Sequence, residues 1–207
     1  MRSIRINTYI AVLIFEAILL GPTLAQEAPA PFTEPTPAYL KQFAKPATPQ
    51  FVFERFDATG ALYERSIDPL ISPVTIKSAT SRVINGRQIE LRGLTSCPRD
   101  LVAYSGGQTW ACNDAAADFM NAIYNERASV VLCKTLVLQP SGLQPASCFA
   151  LVGDGKIDAF SIVNDDDTMV FLGLADIRIG KDGQPMRPDL IESASLSRTM
   201  NGSADDQ

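Results

Sequence analysis

From Val74 onward, apolar and polar residues alternate in short runs broken by turn-forming pairs, the pattern of half-buried strands. Val74–Lys77 and Arg82–Ile84 are two such runs, and Ile89–Leu91 is the return of the second. Asn85-Gly86 between them is a tight-hairpin signal, because both central residues of a type I′ turn need positive φ. Between 114 and 124 the period changes to that of a helix. Ala115, Phe119, Ala122 and Ile123 share one face, and Asn113 is a candidate cap. Ser129–Leu138 is β-branched and apolar, Pro140–Pro145 turns the chain, and Ala146–Val152 supplies a second strand. Asp154-Gly155 marks another turn. Thr168–Leu172 reads as helix stopped by Gly173, Ala175–Ile179 as strand, and Asp189–Met200 as a closing helix with Pro188 at its start. This order predicts a β-rich α+β fold: five antiparallel strands curled into a small barrel with helical caps.

Residues 51–67 alternate less regularly around Asp57-Ala58-Thr59-Gly60 and predict a β-hairpin. Pro69 and Pro73 set it apart as an N-terminal extension over 51–73, ahead of the main domain at 74–200. Residues 26–50 hold six prolines and predict an extended linker without a core. Residues 1–25 read as a cleavable signal peptide: Arg2 and Arg5, an apolar stretch from Tyr9 to Leu20, then Thr23-Leu24-Ala25. The apolar stretch falls short of the ~20 residues that span a bilayer. A periplasmic or secreted product with no transmembrane segment is the expectation, and the polar tail 201–207 is expected to be disordered.

Charge and cysteine usage narrow the chemistry. The 207 residues carry a net charge of −5, which argues against a whole-surface positive field for nucleic acid. Histidine is absent, so His-based triads, general bases and zinc sites are excluded. The four cysteines lack the close pairs of a metal site, and in an exported chain they favour two disulfides. Cys133 and Cys148 lie on strands predicted to pair. Cys97 would then join the loop after the third strand to Cys112 at the helix start.

Several motifs together resemble one family. Val83-Ile84-Asn85-Gly86-Arg87-Gln88-Ile89-Glu90-Leu91-Arg92-Gly93-Leu94 resembles the second and third strands of the staphylococcal nuclease-like (thermonuclease) fold. Trp110-Ala111-Cys112-Asn113, with Ala116 and Phe119, resembles the opening of its first helix in exported bacterial members. Val131-Leu132-Cys133 and Ala146-Ser147-Cys148 resemble the paired strands that follow. Asn164 through Met169-Val170-Phe171-Leu172-Gly173-Leu174-Ala175 resembles the second helix and its exit. The resemblance covers 74–200 and implies an OB-fold barrel. Active members cleave DNA or RNA with calcium, using acidic metal ligands, a carboxylate beside water and two arginines facing the phosphate.

Carried over by position, the resemblance implies a degenerate site with no catalytic residues. The metal-binding turn falls on Ser78-Ala79-Thr80-Ser81. The first catalytic arginine falls on Glu90. A metal aspartate becomes Thr95, the catalytic glutamate becomes Arg99, and the second arginine becomes Leu143. Glu90 and Arg99 are thus charge-exchanged, either as a swapped ion pair or as two drifted surface residues. Hydroxyls do not replace carboxylates around a hard dication. The expectation is a pseudoenzyme with no cofactor and no metal.

Three further groups carry candidate chemistry. Asp165-Asp166-Asp167 reads as a solvated run or helix start rather than a calcium loop, whose ligands alternate. Trp110 reads as core packing beside Cys112 rather than a base-stacking platform. Lys77, Arg82, Arg87, Arg92 and Arg99 form a basic cluster that could hold an anionic polymer, against the alternative of a solvated hairpin. The functional expectation is an exported non-catalytic nuclease-like module binding an anionic polymer or an envelope partner, with nucleic acid only weakly suggested. The alternative is a divergent calcium-dependent phosphodiester nuclease.

Overall fold

A computed structural model describes residues 31–103, 109–137, 144–153 and 160–202. The signal peptide, Leu143, Asp154-Gly155, most of the Pro140–Pro145 turn and residues 203–207 lie outside them.

The chain is a strand-rich α+β protein. An N-terminal helix α1 (Pro37–Lys41) precedes a hairpin of β1 (Gln50–Phe56) and β2 (Leu62–Pro69). A three-strand stretch follows: β3 (Thr75–Ile76), β4 (Ser81–Ile84) and β5 (Arg87–Leu91). Short strands β6 (Leu94–Ser96), β7 (Leu101–Ala103) and β8 (Thr109–Ala111) lead into helix α2 (Cys112–Asn121). A π-helical turn, Ala122–Arg127, passes to β9 (Ala128–Leu136), β10 (Gln144–Gly153) and β11 (Phe160–Asn164). Helix α3 (Asp165–Phe171), β12 (Ala175–Ile177), a 3₁₀ turn (Pro188–Leu190) and helix α4 (Ile191–Gly202) complete it.

The principal sheet runs β2-β1-β9-β10-β5-β4-β3, with β11 paired to the second half of β10. β6 with β12, and β7 with β8, form two small separate sheets. The Asn85-Gly86 turn between β4 and β5 has φ of +48° and +79°, the conformation that its residue types favour.

The structure departs from the expected five-stranded antiparallel barrel in two ways. The sheet is open, with β2 and β3 at its ends, and two of its pairings are parallel, β1 with β9 and β5 with β10. The reason lies in the N-terminal hairpin. It is no appendage: β1 lies along β9 over the whole of Gln50–Phe56, so the residues expected as a separate extension are central to the sheet. Phe51 and Phe53 point into one core and Val52 into another, so β1 is buried on both faces.

The linker expectation for 26–50 is corrected over 37–44. Thr36 caps α1 by accepting the Tyr39 N–H at 3.2 Å, and Pro37 sits at the first helical position, where its missing N–H is harmless. Tyr39, Leu40 and Phe43 are buried against Val52, Val130, Leu132, Phe149 and Leu151. Burying each large apolar side chain contributes roughly 1.5–3 kcal/mol, enough to override the extended preference of the surrounding prolines.

On the opposite face, α2, α3 and α4 cover a larger core that includes Phe51, Ile84, Ile89, Leu91, Val131 and Met169. Helix α2 begins two residues earlier than its composition suggests. Ala111 stands at its cap without a side-chain bond, Asn113 lies inside the first turn, and Met120 of α2 with Ile123 and Tyr124 of the π-helical turn are the buried large side chains while Phe119 is half-buried. Trp110 is half-buried and packs against this core.

Both cysteine pairs are bridged. Cys133 and Cys148 stand directly opposite on β9 and β10, fully buried, with Cα atoms 4.2 Å apart. Cys97–Cys112, at 5.6 Å, fastens the end of β6 to the first residue of α2. No helix among the described residues is long and apolar enough to cross a membrane.

Candidate functional site

The turn between β3 and β4 gathers several of the degenerate positions. Ser78 Oγ accepts the backbone N–H groups of Thr80 (3.2 Å) and Ser81 (3.1 Å), so its hydroxyl shapes the turn. Thr80 Oγ1 donates to Glu90 Oε1 on β5 at 2.6 Å. Ser96 Oγ accepts the N–H of Ala79, tying the turn to β6, where Thr95 is exposed and pairs with Asp176. Arg99 is exposed in the loop beyond β6. The place therefore brings together neutral hydroxyls and one carboxylate that already has a hydroxyl donor.

The basic cluster is not one surface. Lys77, Arg87 and Arg99 are exposed, and Arg87 rests 4.9 Å from the Phe53 ring centroid. Arg92 is half-buried over the Phe32 ring at 3.9 Å. Arg82 is completely buried, which corrects its place among the polymer-binding candidates. The alternation of β4 turns it inward with Ile84, and its guanidinium meets Asp165 at 2.5 Å.

Asp165-Asp166-Asp167 is indeed the first turn of a helix, α3, capped by Asn164, whose Oδ1 accepts the Asp167 N–H at 3.3 Å. Carboxylates suit that end of the helix dipole. Two of the three are not solvated, however, and the side chains diverge. Asp165 takes Arg82 and the Tyr124 hydroxyl, each at 2.5 Å. Asp166 accepts from Arg187 and from Ser147 Oγ at 2.6 Å. Asp167 accepts the Ser193 hydroxyl on α4. Arg187 also reaches Asp189 at 2.8 Å and the Arg92 carbonyl at 3.2 Å. Burial pushes both Asp165 and Asp166 above the usual carboxylate range, and their arginines pull back only part of that rise. For Arg82 burial opposes the charge, but Asp165 more than restores it. Among the described residues, no three acidic or cysteine side chains converge as a metal-binding group.

A second polar cluster lies on the other face of the sheet, under α1, and sequence reasoning missed it. Glu54 on β1 and Lys134 on β9 are cross-strand neighbours, both fully buried. Tyr39 donates its hydroxyl to Glu54, and Arg65 bonds Glu54 at 2.8 Å and the Tyr39 oxygen at 2.6 Å. Lys134 Nζ donates to the Thr33 carbonyl at 2.7 Å. Burial lowers the Lys134 ammonium to about 8, with Glu54 opposing the fall. The available signal was a lysine inside the apolar run Val130–Thr135, a charge where the pattern asks for core.

No protein-family model and no curated protein sequence matches the chain.

Proposed function

We propose that the chain acts outside the cytoplasm as a non-catalytic module of nuclease-like descent that binds a protein partner in the cell envelope. One observation carries the reading. Where phosphodiester cleavage needs metal-holding carboxylates and a free guanidinium, Ser78 and Thr80 present hydroxyls used by the turn, and Glu90 accepts from Thr80. Descent from a five-stranded barrel is supported by strand order. β9-β10-β5-β4-β3 would close on itself if β3 met the free flank of β9, and β1 fills that flank instead. Two disulfides suit an oxidising compartment. An anionic polymer is the weaker partner, because Arg82 is sealed in an ion pair and Arg92 is stacked on Phe32.

The test is direct. Residues 26–207 are incubated with calcium and denatured DNA at neutral pH, and acid-soluble product is measured over hours. The reading expects no release above the chelated control. Calcium-dependent release that disappears in Glu90→Gln would establish the divergent nuclease instead.

A further inference from the structure

The two disulfides meet solvent differently. Cys133 and Cys148 are fully buried and face each other from the middle of adjacent strands. Cys97 is only half-buried, in a stretch where Thr95, Pro98, Arg99 and Asp100 are exposed, while its partner Cys112 is buried. A thiolate arriving from solvent therefore reaches Cys97 Sγ first, and Cys112 is the sulfur expelled.

Cys112 is placed to leave. It is the first residue of α2, a helix of 10 residues, and Ala111 at the cap brings no side-chain acceptor to the helix's leading N–H groups. The helix dipole favours an anion at that end, so a sulfur there departs more readily as thiolate. The open form is also provided for. A bridged sulfur has no proton to donate, yet an acceptor already stands beside each. Asn113 Oδ1 is 3.1 Å from Cys97 Sγ, and the Leu174 carbonyl is 3.5 Å from Cys112 Sγ. Reduction supplies the protons, and each thiol finds its partner in place.

Opening leaves the neighbouring elements tied. Cys97 N–H donates to the Leu174 carbonyl and Cys112 N–H to the Asp100 carbonyl, both at 2.9 Å. What it releases is the loop that the bridge closes, which carries the small sheet of β7 and β8, separate from the principal sheet.

We propose that Cys97–Cys112 is a thiol–disulfide exchange site opened by a dithiol, with Cys133–Cys148 as the permanent brace. One thiolate of the dithiol attacks Cys97 Sγ, the S–S bond breaks, and Cys112 departs as a thiolate that takes a proton. The second thiolate then attacks the dithiol's own sulfur in the mixed disulfide and releases Cys97, which is protonated in turn. Two electrons and two protons pass to the cysteine pair, and the dithiol leaves as a disulfide. A monothiol opens the bridge poorly, because Cys112, held beside the mixed disulfide, attacks it and closes the bridge again.

The experiment exposes the oxidised chain to dithiothreitol at neutral pH and quenches with iodoacetamide at intervals. Alkylation of each cysteine is read by peptide mass spectrometry, with hydrogen–deuterium exchange followed in parallel. Cys97–Cys112 should open at least about tenfold faster than Cys133–Cys148. Glutathione at equal thiol concentration should leave the bridge mostly closed, with any adduct on Cys97. In the opened form, exchange should rise in β7 and β8 and stay unchanged in β9 and β10. Asn113→Ala removes the acceptor beside Cys97 and should raise the dithiothreitol concentration at half-opening by about threefold. Cys97→Ser/Cys112→Ser should show the opened exchange pattern without any reductant. Equal opening rates for the two bridges, adducts on Cys112, equal opening by glutathione, or exchange rising throughout the principal sheet would overturn the proposal.

Discussion

Replacing Arg82 by methionine tests whether this residue belongs to the interior. Its guanidinium and the Asp165 carboxylate are both fully buried, 2.5 Å apart, with Tyr124 as the remaining donor to Asp165. Methionine keeps most of the volume and removes the charge, leaving a buried carboxylate with one hydroxyl. Breaking such a pair costs about 3–5 kcal/mol. A chain of this size loses roughly 2–4 °C in Tm per kcal/mol, so Arg82→Met should lower Tm by about 6–20 °C. The assay is thermal and urea unfolding followed by circular dichroism. A pH signature separates lost charge from lost packing. Asp165 already holds its proton to higher pH than an unfolded aspartate, and loss of Arg82 raises it further. The folded variant then binds more protons than its unfolded form, so acidification through that range should narrow its deficit. Arg82→Met/Asp165→Asn should recover at least half of the loss. A loss below about 1 kcal/mol for Arg82→Met would mean that Arg82 faces solvent, as a polymer-binding side chain would.

Two further outcomes follow from the same structure. Lys134 is neutral in the fold above about pH 8 while an unfolded lysine stays charged to about 10.5, so the unfolded chain binds more protons in that window. Stability should rise by about 2–3 kcal/mol between pH 8 and 10, then fall as Tyr39 and Tyr124, both held protonated by burial, meet rising base. Lys134→Met should abolish the rise, and a flat profile in the unaltered chain would contradict the buried placement. Cys133→Ala/Cys148→Ala opens a loop whose ends are 15 residues apart and should lower stability by about 3 kcal/mol in guanidinium unfolding. A change under about 1 kcal/mol would mean that the bridge is not what braces β9 to β10.

Local chemistry made part of this fold legible and non-local pairing hid the rest. The Asn85-Gly86 hairpin follows from two residues that accept positive φ, and the α3 start follows from an asparagine ahead of three aspartates. The two cysteine pairs came from strand and helix placement. Arg82 looked like a surface cation because its partner lies 83 residues away, and no local pattern marks that distance. The parallel pairing of β1 with β9 is hidden for the same reason. The α1 anchor had a signal that prolines obscured. Thr36-Pro37 is a cap followed by a favoured first residue, and Tyr39, Leu40 and Phe43 share one helical face. Of the candidate site, the loss of nuclease chemistry was an expectation from the resemblance. The burial of Arg82 and the Tyr39–Glu54–Arg65–Lys134 cluster needed coordinates.

On the proposed reading, the chain's carboxylates answer to its own arginines and hydroxyls rather than to a dication. Thermal unfolding of residues 26–207 with 10 mM calcium, against the same protein in chelator, tests it without reference to any substrate. The two transitions should coincide. A calcium-dependent rise of several degrees, the size expected near a hundredfold excess over Kd and about 2.7 kcal/mol, would contradict it.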